Sequence, residues 1–407
     1  MTSAPSIAYL LPDPGIPVGG TKGASVHVES LCCALARAGA SVTLYAARVT
    51  GPLRSAGSDR VQVVPVDVGA VRSGPAGEAS RTTASQRFFA TVGEQLGRQR
   101  PDWVQERLTL FAGQGTEVCS ALGLERVVEV NAPVAAERAR HFGLQLVEEA
   151  DQAERQALAG ARVLAVSEPL VGWAMAKGAA EGEVLPNGAD TATLSPGRWA
   201  GHGRQLRRQA GMGERVVIGF AGSLKPWHGV ELLVDAVATA RAANPGQPLG
   251  LLVVGDGPQR PQVEEALGRL PDDVKAVLTG AVPFAEMPAY LAAMDICAAP
   301  YLPNEDFYFS PLKVAEAMAA GRAVVAADFP PVRQLLDGTG ELFPPGDLAA
   351  LARLLADLSA DPHRRAMLGR QARLSAVERL DWGAVARRTM QFAGAAMSAA
   401  PSGAPAA

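Results

Sequence analysis

The chain has 407 residues, of which 48% are hydrophobic and 19% charged, and this length is enough for two hydrophobic cores. A formal net charge of −3 without a long basic run argues against a protein that binds nucleic acid. The four cysteines form no CxxC pair, and no apolar run approaches the roughly 20 residues of a membrane helix, so we expect neither a zinc site nor a membrane span. A reduced, cytoplasmic location fits best.

Short β-rich runs alternate with helical periods along the first half of the chain. A run at 7–11 is followed by apolar residues with helical spacing over 28–35 and by a second run at 42–45. Further strands are predicted at 61–66, 103–105, 127–130, 163–166 and 183–185. This alternation is typical of a parallel sheet that helices cover on both faces.

A second series of the same kind follows a stretch rich in Gly and Arg at 197–213. Its strands are predicted at 216–220, 251–254, 276–278, 296–299 and 323–326. Turn-forming residues at 186–190 mark the boundary between the two series. We therefore predict an α/β protein with two doubly wound domains, followed by a helix that returns to the first domain and by a disordered tail. The predicted bounds are 1–188, 189–378, 379–395 and 396–407.

Two strand ends lead into loops suited to an oxygen-rich ligand, because ligands of open α/β sheets bind where strands end. The first strand runs into a loop with Gly19, Gly20 and Gly23 before a helix. Its spacing is neither that of a dinucleotide motif nor that of a P-loop, so a plain connecting loop stays open as an alternative. In the second domain, Lys225 and His228 follow a similar strand and can face a diphosphate, although each is also an ordinary surface residue.

The segment 307–321 is the most informative one. Ser310 followed by Pro311 predicts an N-cap and a first helical residue, so the amides of Leu312 and Lys313 would form an anion seat. Glu316 lies one turn further along, where a carboxylate can accept hydrogen bonds from ribose hydroxyls. A glutamate that only stabilises the start of a helix is the alternative.

Nine motifs in one order cover about residues 7–395. They are the glycine loop before the helix of His27, and the segments 166–168, 186–190, 222–229, 255–258, 279–282, 295, 300–301 and 310–321. Together they resemble the family 4 retaining glycosyltransferases of the GT-B fold. The resemblance implies a nucleotide-sugar donor, with a UDP-sugar favoured, held mainly by the C-terminal domain, and an acceptor bound by the N-terminal domain. It also implies that neither a metal nor a cofactor is required.

The resemblance assigns roles to individual positions. It gives donor-binding roles to Gly19, Gly20, Gly23, Ser223, Val282, Phe309, Ser310, Pro311, Leu312 and Glu316. We expect catalytic roles for Lys225, Lys313, His228 and Asn131. We expect the acceptor side to include His27, Glu106, Arg107, Glu129 and Glu137.

The sequence departs from the family pattern at four of its positions. Tyr308 stands where the first Glu of the family's Glu-x7-Glu motif is usual, and Ser223 and His228 stand where an Arg and a Lys commonly bind the pyrophosphate. Asn131 replaces a His found in many relatives. We therefore expect Phe309 and Ser310 to contribute to sugar recognition, and Lys225 or Lys313 to carry more of the phosphate charge.

Retention without an evident carboxylate nucleophile favours front-face displacement, in which a phosphate oxygen of the donor takes the proton of the acceptor. Closure of the two domains about 186–187 would exclude water. The alternatives are a nucleotide-sugar binding protein with little or no activity, and a related GT-B phosphorylase or epimerase. A lone Gly255–Gly257 half-motif, with Arg260 at the third glycine position, argues against NAD. The sequence leaves the acceptor open as a glycan, a lipid or a small metabolite, and arginines at 69–100 leave open a peripheral contact with the inner membrane face.

Overall fold

A computed structural model describes residues 4–20, 22–72, 76–304 and 306–399. Its contacts divide the chain into two compact units. The first unit contains the residues up to Pro186 together with those from Trp382 onward, and the second unit is Asn187–Asp381. The division falls in the turn-rich segment between the two series of strands.

The first unit is built on a parallel sheet of seven strands in the order β3-β2-β1-β4-β5-β6-β7. The strands are β1 (Ser6–Leu11), β2 (Ser41–Ala46), β3 (Val61–Pro65), β4 (Trp103–Arg107), β5 (Glu125–Val130), β6 (Arg162–Ala165) and β7 (Glu181–Val184). The intervening helices are α1 (Gly23–Arg37), α2 (Ala76–Gln99), α3 (Gly115–Leu122), α4 (Val134–Phe142), α5 (Val147–Leu158) and α6 (Glu168–Ala176). The strand order reverses between β1 and β4, which is where ligands of such sheets bind.

The second unit repeats this design with a six-stranded parallel sheet in the order β10-β9-β8-β11-β12-β13. Its helices are α7 (Pro196–Gln209), α8 (Val230–Ala243), α9 (Arg260–Leu267), α10 (Met287–Ala293), α11 (Leu312–Ala319), α12 (Pro330–Leu336), α13 (Leu348–Ala360) and α14 (Pro362–Ser375). Its strands are β8 (Val216–Ala221), β9 (Leu249–Val254), β10 (Lys275–Leu278), β11 (Ile296–Ala299), β12 (Ala323–Ala327) and β13 (Glu341–Phe343). Here the strand order reverses between β8 and β11.

The central strands of both sheets are buried on both faces. In β9 every residue is buried, and in β1 every residue after Ser6 is buried. Continuous apolar runs therefore mark these strands in the sequence, and each predicted run overlaps an observed strand. The predicted fold class is confirmed.

The last helix, α15 (Trp382–Ala399), belongs to the first unit. It packs against α1, where Trp382 and Phe392 enter the hydrophobic core. The ring of Trp382 lies edge-on to that of His27, with 5.2 Å between the centroids. The prediction of a disordered tail from 396 is wrong for its first residues because the helix continues through Ala399, and 400–407 lie outside the described residues.

Candidate active site

Three loops at the carboxyl edge of the second sheet are joined by backbone hydrogen bonds. Gly222, after β8, donates its N–H to the carbonyl of Val254 at 2.9 Å. Gly255, after β9, donates to the carbonyl of Gly280, after β10, at 3.0 Å. Gly222 and Gly255 both have a φ of 142°, a conformation that other residues rarely adopt. These glycines let the loops approach closely and place several backbone amides at one edge of the sheet.

Replacing Gly255 with alanine is expected to destabilise the second unit strongly. A Cβ added there would lie 1.8 Å from the carbonyl oxygen of Gly222. Gly338 provides a matched control, since its φ is 76° and an added Cβ meets nothing within 4 Å. We expect Gly255→Ala to lower the free energy of unfolding by about 2–4 kcal/mol and Gly338→Ala by about 1 kcal/mol. Urea unfolding measures both, and equal losses would contradict the close approach.

His228 ends a turn in the loop after β8, and its ring is neutral at physiological pH. Desolvation, together with the charges of Lys313 and Lys225, lowers the pKa of His228 to about 3. Its Nδ1 lies against the carbonyl oxygen of Ser223, so the neutral ring carries its proton on Nδ1 and leaves Nε2 as an acceptor. His228 therefore adds no positive charge to this loop.

Lys313 places a desolvated ammonium group beside this loop. Its Nζ lies 4.2 Å from the ring centroid of Phe220 and 5.2 Å from that of Tyr301. The Nζ atom is buried, and no described residue forms a hydrogen bond with it. Burial lowers the pKa of Lys313 to about 7, although the charge of Glu316 opposes this shift. A bound anion stabilises such a desolvated ammonium group more than it stabilises an exposed lysine.

The start of α11 differs by one residue from the prediction. Pro311, rather than Ser310, occupies the N-cap position. The Ser310 hydroxyl instead accepts a hydrogen bond from the backbone N–H of Asn187 at 3.0 Å, and the Asn187 side-chain amide donates to the Ser310 carbonyl at 2.7 Å. The amides of Leu312 and Lys313 find no acceptor within the described ranges. Two amides at the start of α11 thus remain available to an acceptor, and Ser310 holds the chain segment of Asn187.

Glu316 lies one turn beyond Lys313 on α11 and is half-buried. Burial raises the pKa of Glu316 to about 7, and the charge of Lys313 opposes this shift. Its carboxylate accepts no hydrogen bond from any residue that the structure describes. The group is therefore available to hydroxyl donors of a ligand.

Aromatic residues surround the position where the family pattern has its first Glu. Tyr308 is buried, and its ring lies 4.4 Å from that of Phe309. Phe307 stacks on Phe329, with 4.1 Å between the ring centroids. An apolar wall thus stands where a carboxylate is usual.

The other predicted donor residues of the second unit lie on loops at the same edge of the sheet. Ser223 is exposed. Lys225 is half-buried, with its Nζ 5.8 Å from the ring centroid of Trp227. Val282 follows β10 and packs against the core of the second unit.

In the first unit, the predicted glycine loop joins β1 to α1. Gly19 has a φ of 78°, and a Cβ added to it would lie 2.5 Å from the carbonyl oxygen of Gly51. A Cβ on Gly20 would lie 2.6 Å from Oγ of Ser25, a buried hydroxyl without a hydrogen-bond partner among the described residues. Gly23 is the first residue of α1. Only glycine fits the first two positions.

Glu129 is the centre of a buried polar cluster that the sequence did not reveal. It accepts hydrogen bonds from Arg107 at 2.6 Å, from Asn131 at 2.5 Å and from the Tyr9 hydroxyl at 2.9 Å, and it pairs with His27 at 2.9 Å. Burial favours the neutral acid, but the charge and hydrogen bond of His27, together with Arg107 and Tyr9, hold the pKa of Glu129 below its usual value. Glu129 is therefore ionised. The members of the cluster are far apart in the sequence and meet only in the folded chain, so no local sequence pattern predicts them.

Glu106 and Glu137, which were both predicted to lie near the acceptor substrate, have different surroundings. Glu106 is fully buried in an ion pair with Arg126 at 2.8 Å, and burial raises its pKa despite that partner. A Cβ on Gly115 would lie 1.9 Å from Glu106 Oε2, so α3 closes over this carboxylate. This geometry corrects the expectation of an acceptor contact and favours a structural role. Glu137 is half-buried in the first turn of α4.

Several of the predicted basic residues are engaged within the first unit. Arg81 pairs with Asp13 at 3.1 Å, and Arg100 donates to the carbonyl of Leu122 at 2.8 Å.

Among the described helices none is both long and apolar enough to span a bilayer. Nor do the described residues include three or more His, Cys, Asp or Glu grouped as metal ligands require.

Comparison with known families agrees with this geometry. Residues 21–193 match the Glycosyltransferase Family 4 model, and residues 215–361 match the model described as Glycosyl transferases group 1. The chain belongs to the family 4 glycosyltransferases.

Curated relatives carry related names. The 2-deoxystreptamine glucosyltransferase of Streptomyces kanamyceticus is 34% identical over 39% of this chain and 40% of the relative. A phosphatidyl-myo-inositol mannosyltransferase of Mycobacterium leprae is 33% identical over 56% and 57% of the two chains. The D-inositol 3-phosphate glycosyltransferase of Corynebacterium efficiens is 29% identical over 92% and 90%. The chain thus spans about half the length of the first two relatives.

Solved structures share the fold. Sucrose-phosphate synthase from Thermosynechococcus elongatus has a TM-score of 0.72 at 21% identity, and the match covers 97% of this chain and 100% of that one. Anabaena HepE in complex with UDP has a TM-score of 0.68 at 21% identity, with 96% and 100% covered. The family 4 glycosyltransferase therefore has the GT-B fold.

Proposed function

We propose that the protein transfers a sugar from a nucleotide sugar, with a UDP-sugar as the first donor to test, to a hydroxyl of an acceptor, with retention at the anomeric carbon. The observation that carries this proposal is the buried Lys313 ammonium, which has no hydrogen-bond partner within the described residues and sits at the start of a helix with two free amides. A diphosphate supplies the negative oxygens that this arrangement lacks. The complex of HepE with UDP supports the choice of nucleotide.

The C-terminal unit holds the donor in this account. Lys313, Lys225 and the amides of Leu312 and Lys313 bind the pyrophosphate. His228 accepts a hydrogen bond from the ligand through its unprotonated Nε2 atom. Glu316 binds the ribose hydroxyls, and Val282 contacts the base. Phe309 and Ser310 line the sugar in place of the missing glutamate. The lysines and amides neutralise the diphosphate, so we propose that no metal ion is required.

The chemical step is a front-face displacement. The bond between the anomeric carbon and the donor's phosphate oxygen breaks while a bond to the acceptor oxygen forms on the same face of the sugar. The acceptor's proton moves to a phosphate oxygen, and the nucleoside diphosphate leaves. The protein contributes positive charge where negative charge grows, and it holds the two reactants together.

We propose a polyhydroxylated ring as the acceptor, bound by the N-terminal unit. The names of the relatives support this class, since they specify 2-deoxystreptamine, phosphatidyl-myo-inositol and D-inositol 3-phosphate as substrates of those proteins. Free inositol, its 3-phosphate and an aminocyclitol are the first acceptors to test.

A thermal-shift panel of UDP-, GDP- and dTDP-sugars, followed by a turnover assay, tests the proposal. A ligand at 100 times its dissociation constant stabilises the folded protein by about 2.7 kcal/mol. We expect one nucleotide series to raise the melting temperature, and we expect release of its nucleoside diphosphate when an acceptor is added. Stabilisation without release would favour a binding protein instead.

Donor affinity is expected to fall as the pH rises above 7. The pKa of Lys313 is lowered to about 7 by burial, so in the free protein about half of its positive charge is lost at pH 7 and about nine-tenths at pH 8. A bound diphosphate stabilises the charged form, and the UDP dissociation constant should therefore rise up to about tenfold per pH unit above the pKa. Calorimetric titration at pH 7, 8 and 9 measures this. Arginine stays charged over this pH range, so the UDP dissociation constant of Lys313→Arg should change less with pH. An equally steep pH dependence in that variant would show that Lys313 is not the source of the effect.

A further inference from the structure

The Glu129 cluster lies at the edge of the first sheet where ligands are expected. Its members come from three neighbouring strands and one helix: Tyr9 lies on β1, Arg107 ends β4, Glu129 lies on β5, and His27 lies on α1. Asn131 directly follows β5. These elements flank the point where the strand order reverses, so the cluster has a rigid setting at a ligand-binding edge.

Glu129 has little remaining capacity for a ligand of its own. Its Oε1 accepts hydrogen bonds from Arg107 and Asn131 and lies 2.9 Å from Nε2 of His27, and its Oε2 accepts one from the Tyr9 hydroxyl. The side chain is only 5% exposed. Three hydrogen bonds and one ion pair occupy most of the acceptor capacity of this carboxylate. Any effect of Glu129 on a substrate must therefore pass through one of its partners.

Asn131 is the partner that can transmit such an effect. Its Nδ2 lies 2.5 Å from Glu129 Oε1. An ionised carboxylate only accepts hydrogen bonds, so the amide must present its NH2 group to Glu129 and not its oxygen. The cluster thereby fixes the orientation of the carboxamide. Asn131 Oδ1 is left as an acceptor to which no described residue donates.

We propose that Glu129 is a positioning residue that turns the Asn131 carboxamide so that Oδ1 accepts a hydrogen bond from a carbohydrate hydroxyl of the substrate. This inference rests on the proposed sugar transfer. The required ligand group is a hydrogen-bond donor, which excludes a phosphate oxygen. Arg107 balances the charge of Glu129, and the paired charges give a cationic amine no advantage over a neutral hydroxyl.

The hydroxyl belongs either to the donor sugar or to the acceptor, and deoxygenated substrates distinguish these sources. We expect one monodeoxy compound to lower kcat/KM of the wild type about 3- to 10-fold, because one neutral hydrogen bond is lost. In Asn131→Ala, the full substrate should already show this loss, and deoxygenation at that position should cost nothing more. Affinity for UDP, which lacks the transferred sugar, should stay within about twofold.

Glu129→Gln and Tyr9→Phe separate positioning from stability. The glutamine side chain in Glu129→Gln can donate to Asn131, which frees the amide to reverse, so this variant should also lose its sensitivity to the same hydroxyl. Tyr9→Phe removes one donor from the other oxygen of Glu129 and leaves the contact of Asn131 intact, so it should keep the wild-type deoxygenation penalty. If deoxygenation lowers kcat/KM of Asn131→Ala or of Glu129→Gln as much as it lowers that of the wild type, the proposal is wrong. Asn131→Ala keeps the test available if Glu129→Gln does not fold, since Asn131 is only half-buried.

A measurement without turnover distinguishes failure of this inference from failure of the proposed function. The side-chain amide NMR signal of Asn131, assigned by its absence in Asn131→Ala, should exchange slowly with solvent in the wild type. It should exchange faster in Glu129→Gln but not in Tyr9→Phe. Fast exchange in the wild type would overturn the positioning role, whatever the protein transfers. A protected amide in a protein that turns over no nucleotide sugar would instead contradict the proposed function.

Discussion

Replacing Lys313 with methionine is expected to lower the turnover of nucleotide sugar by about 10²- to 10³-fold. Methionine keeps most of the apolar stem that packs beside Phe220 and Tyr301 but lacks the ammonium group. Negative charge on the diphosphate grows as the sugar leaves, so the loss should fall mainly on kcat. The effect is large because the site is desolvated, and no described residue accepts a hydrogen bond from the Lys313 ammonium.

Steady-state kinetics of Lys313→Met, Lys313→Arg and Lys225→Met measure this role. Lys313→Arg keeps the charge and should retain more activity than Lys313→Met. Lys225→Met should lose less, because Lys225 lies beside Trp227 on a more exposed loop. Full turnover in Lys313→Met would show that the positive charge for the leaving group comes from another residue, and Lys225 would be examined next.

Replacing Glu316 with alanine is expected to weaken UDP binding by about 1–3 kcal/mol, which corresponds to roughly 5- to 150-fold in the dissociation constant. The carboxylate is half-buried and accepts no hydrogen bond from the described part of the chain. Ribose hydroxyls would supply those bonds. Removal of Glu316 also removes a carboxyl group whose pKa is raised by desolvation, so the folded protein should not lose stability in proportion to the loss in affinity.

Calorimetry with UDP and with 2′,3′-dideoxy-UDP tests the ribose assignment. Wild-type protein should bind the dideoxy compound as weakly as Glu316→Ala binds UDP, and the variant should not distinguish the two ligands. Glu316→Gln, which keeps an acceptor oxygen but no charge, should lie between them. A variant that still prefers UDP over the dideoxy compound would refute the contact with ribose.

The architecture was readable from the sequence because buried parallel strands leave continuous apolar runs. β9 is buried along its whole length and was readily recognised. β13 was missed because it has only three residues, two of them half-buried, and so leaves no apolar run. The prediction of a disordered tail from 396 is wrong for its first residues because small residues continue α15 as readily as they form a disordered segment.

The candidate site was predicted best where backbone geometry forces the residue type. Gly19 and Gly222 have positive φ values, so glycines at strand ends marked their loops. The Ser310 cap was misplaced by one residue because its hydroxyl bonds to Asn187, which is 123 positions away. The Glu129 cluster joins strands whose pairing the sequence does not state. Local sequence patterns therefore do not predict side-chain partners that are set by tertiary contacts.

The most direct test of the account is calorimetric titration with UDP and with uridine, each in excess EDTA. The central claim is that lysine ammonium groups and helix amides hold the donor by its pyrophosphate. We predict that UDP binds, that uridine binds at least about 100-fold more weakly, and that added Mg²⁺ changes the UDP affinity less than about threefold. Binding of UDP that requires Mg²⁺, or equal binding of uridine and UDP, would contradict it.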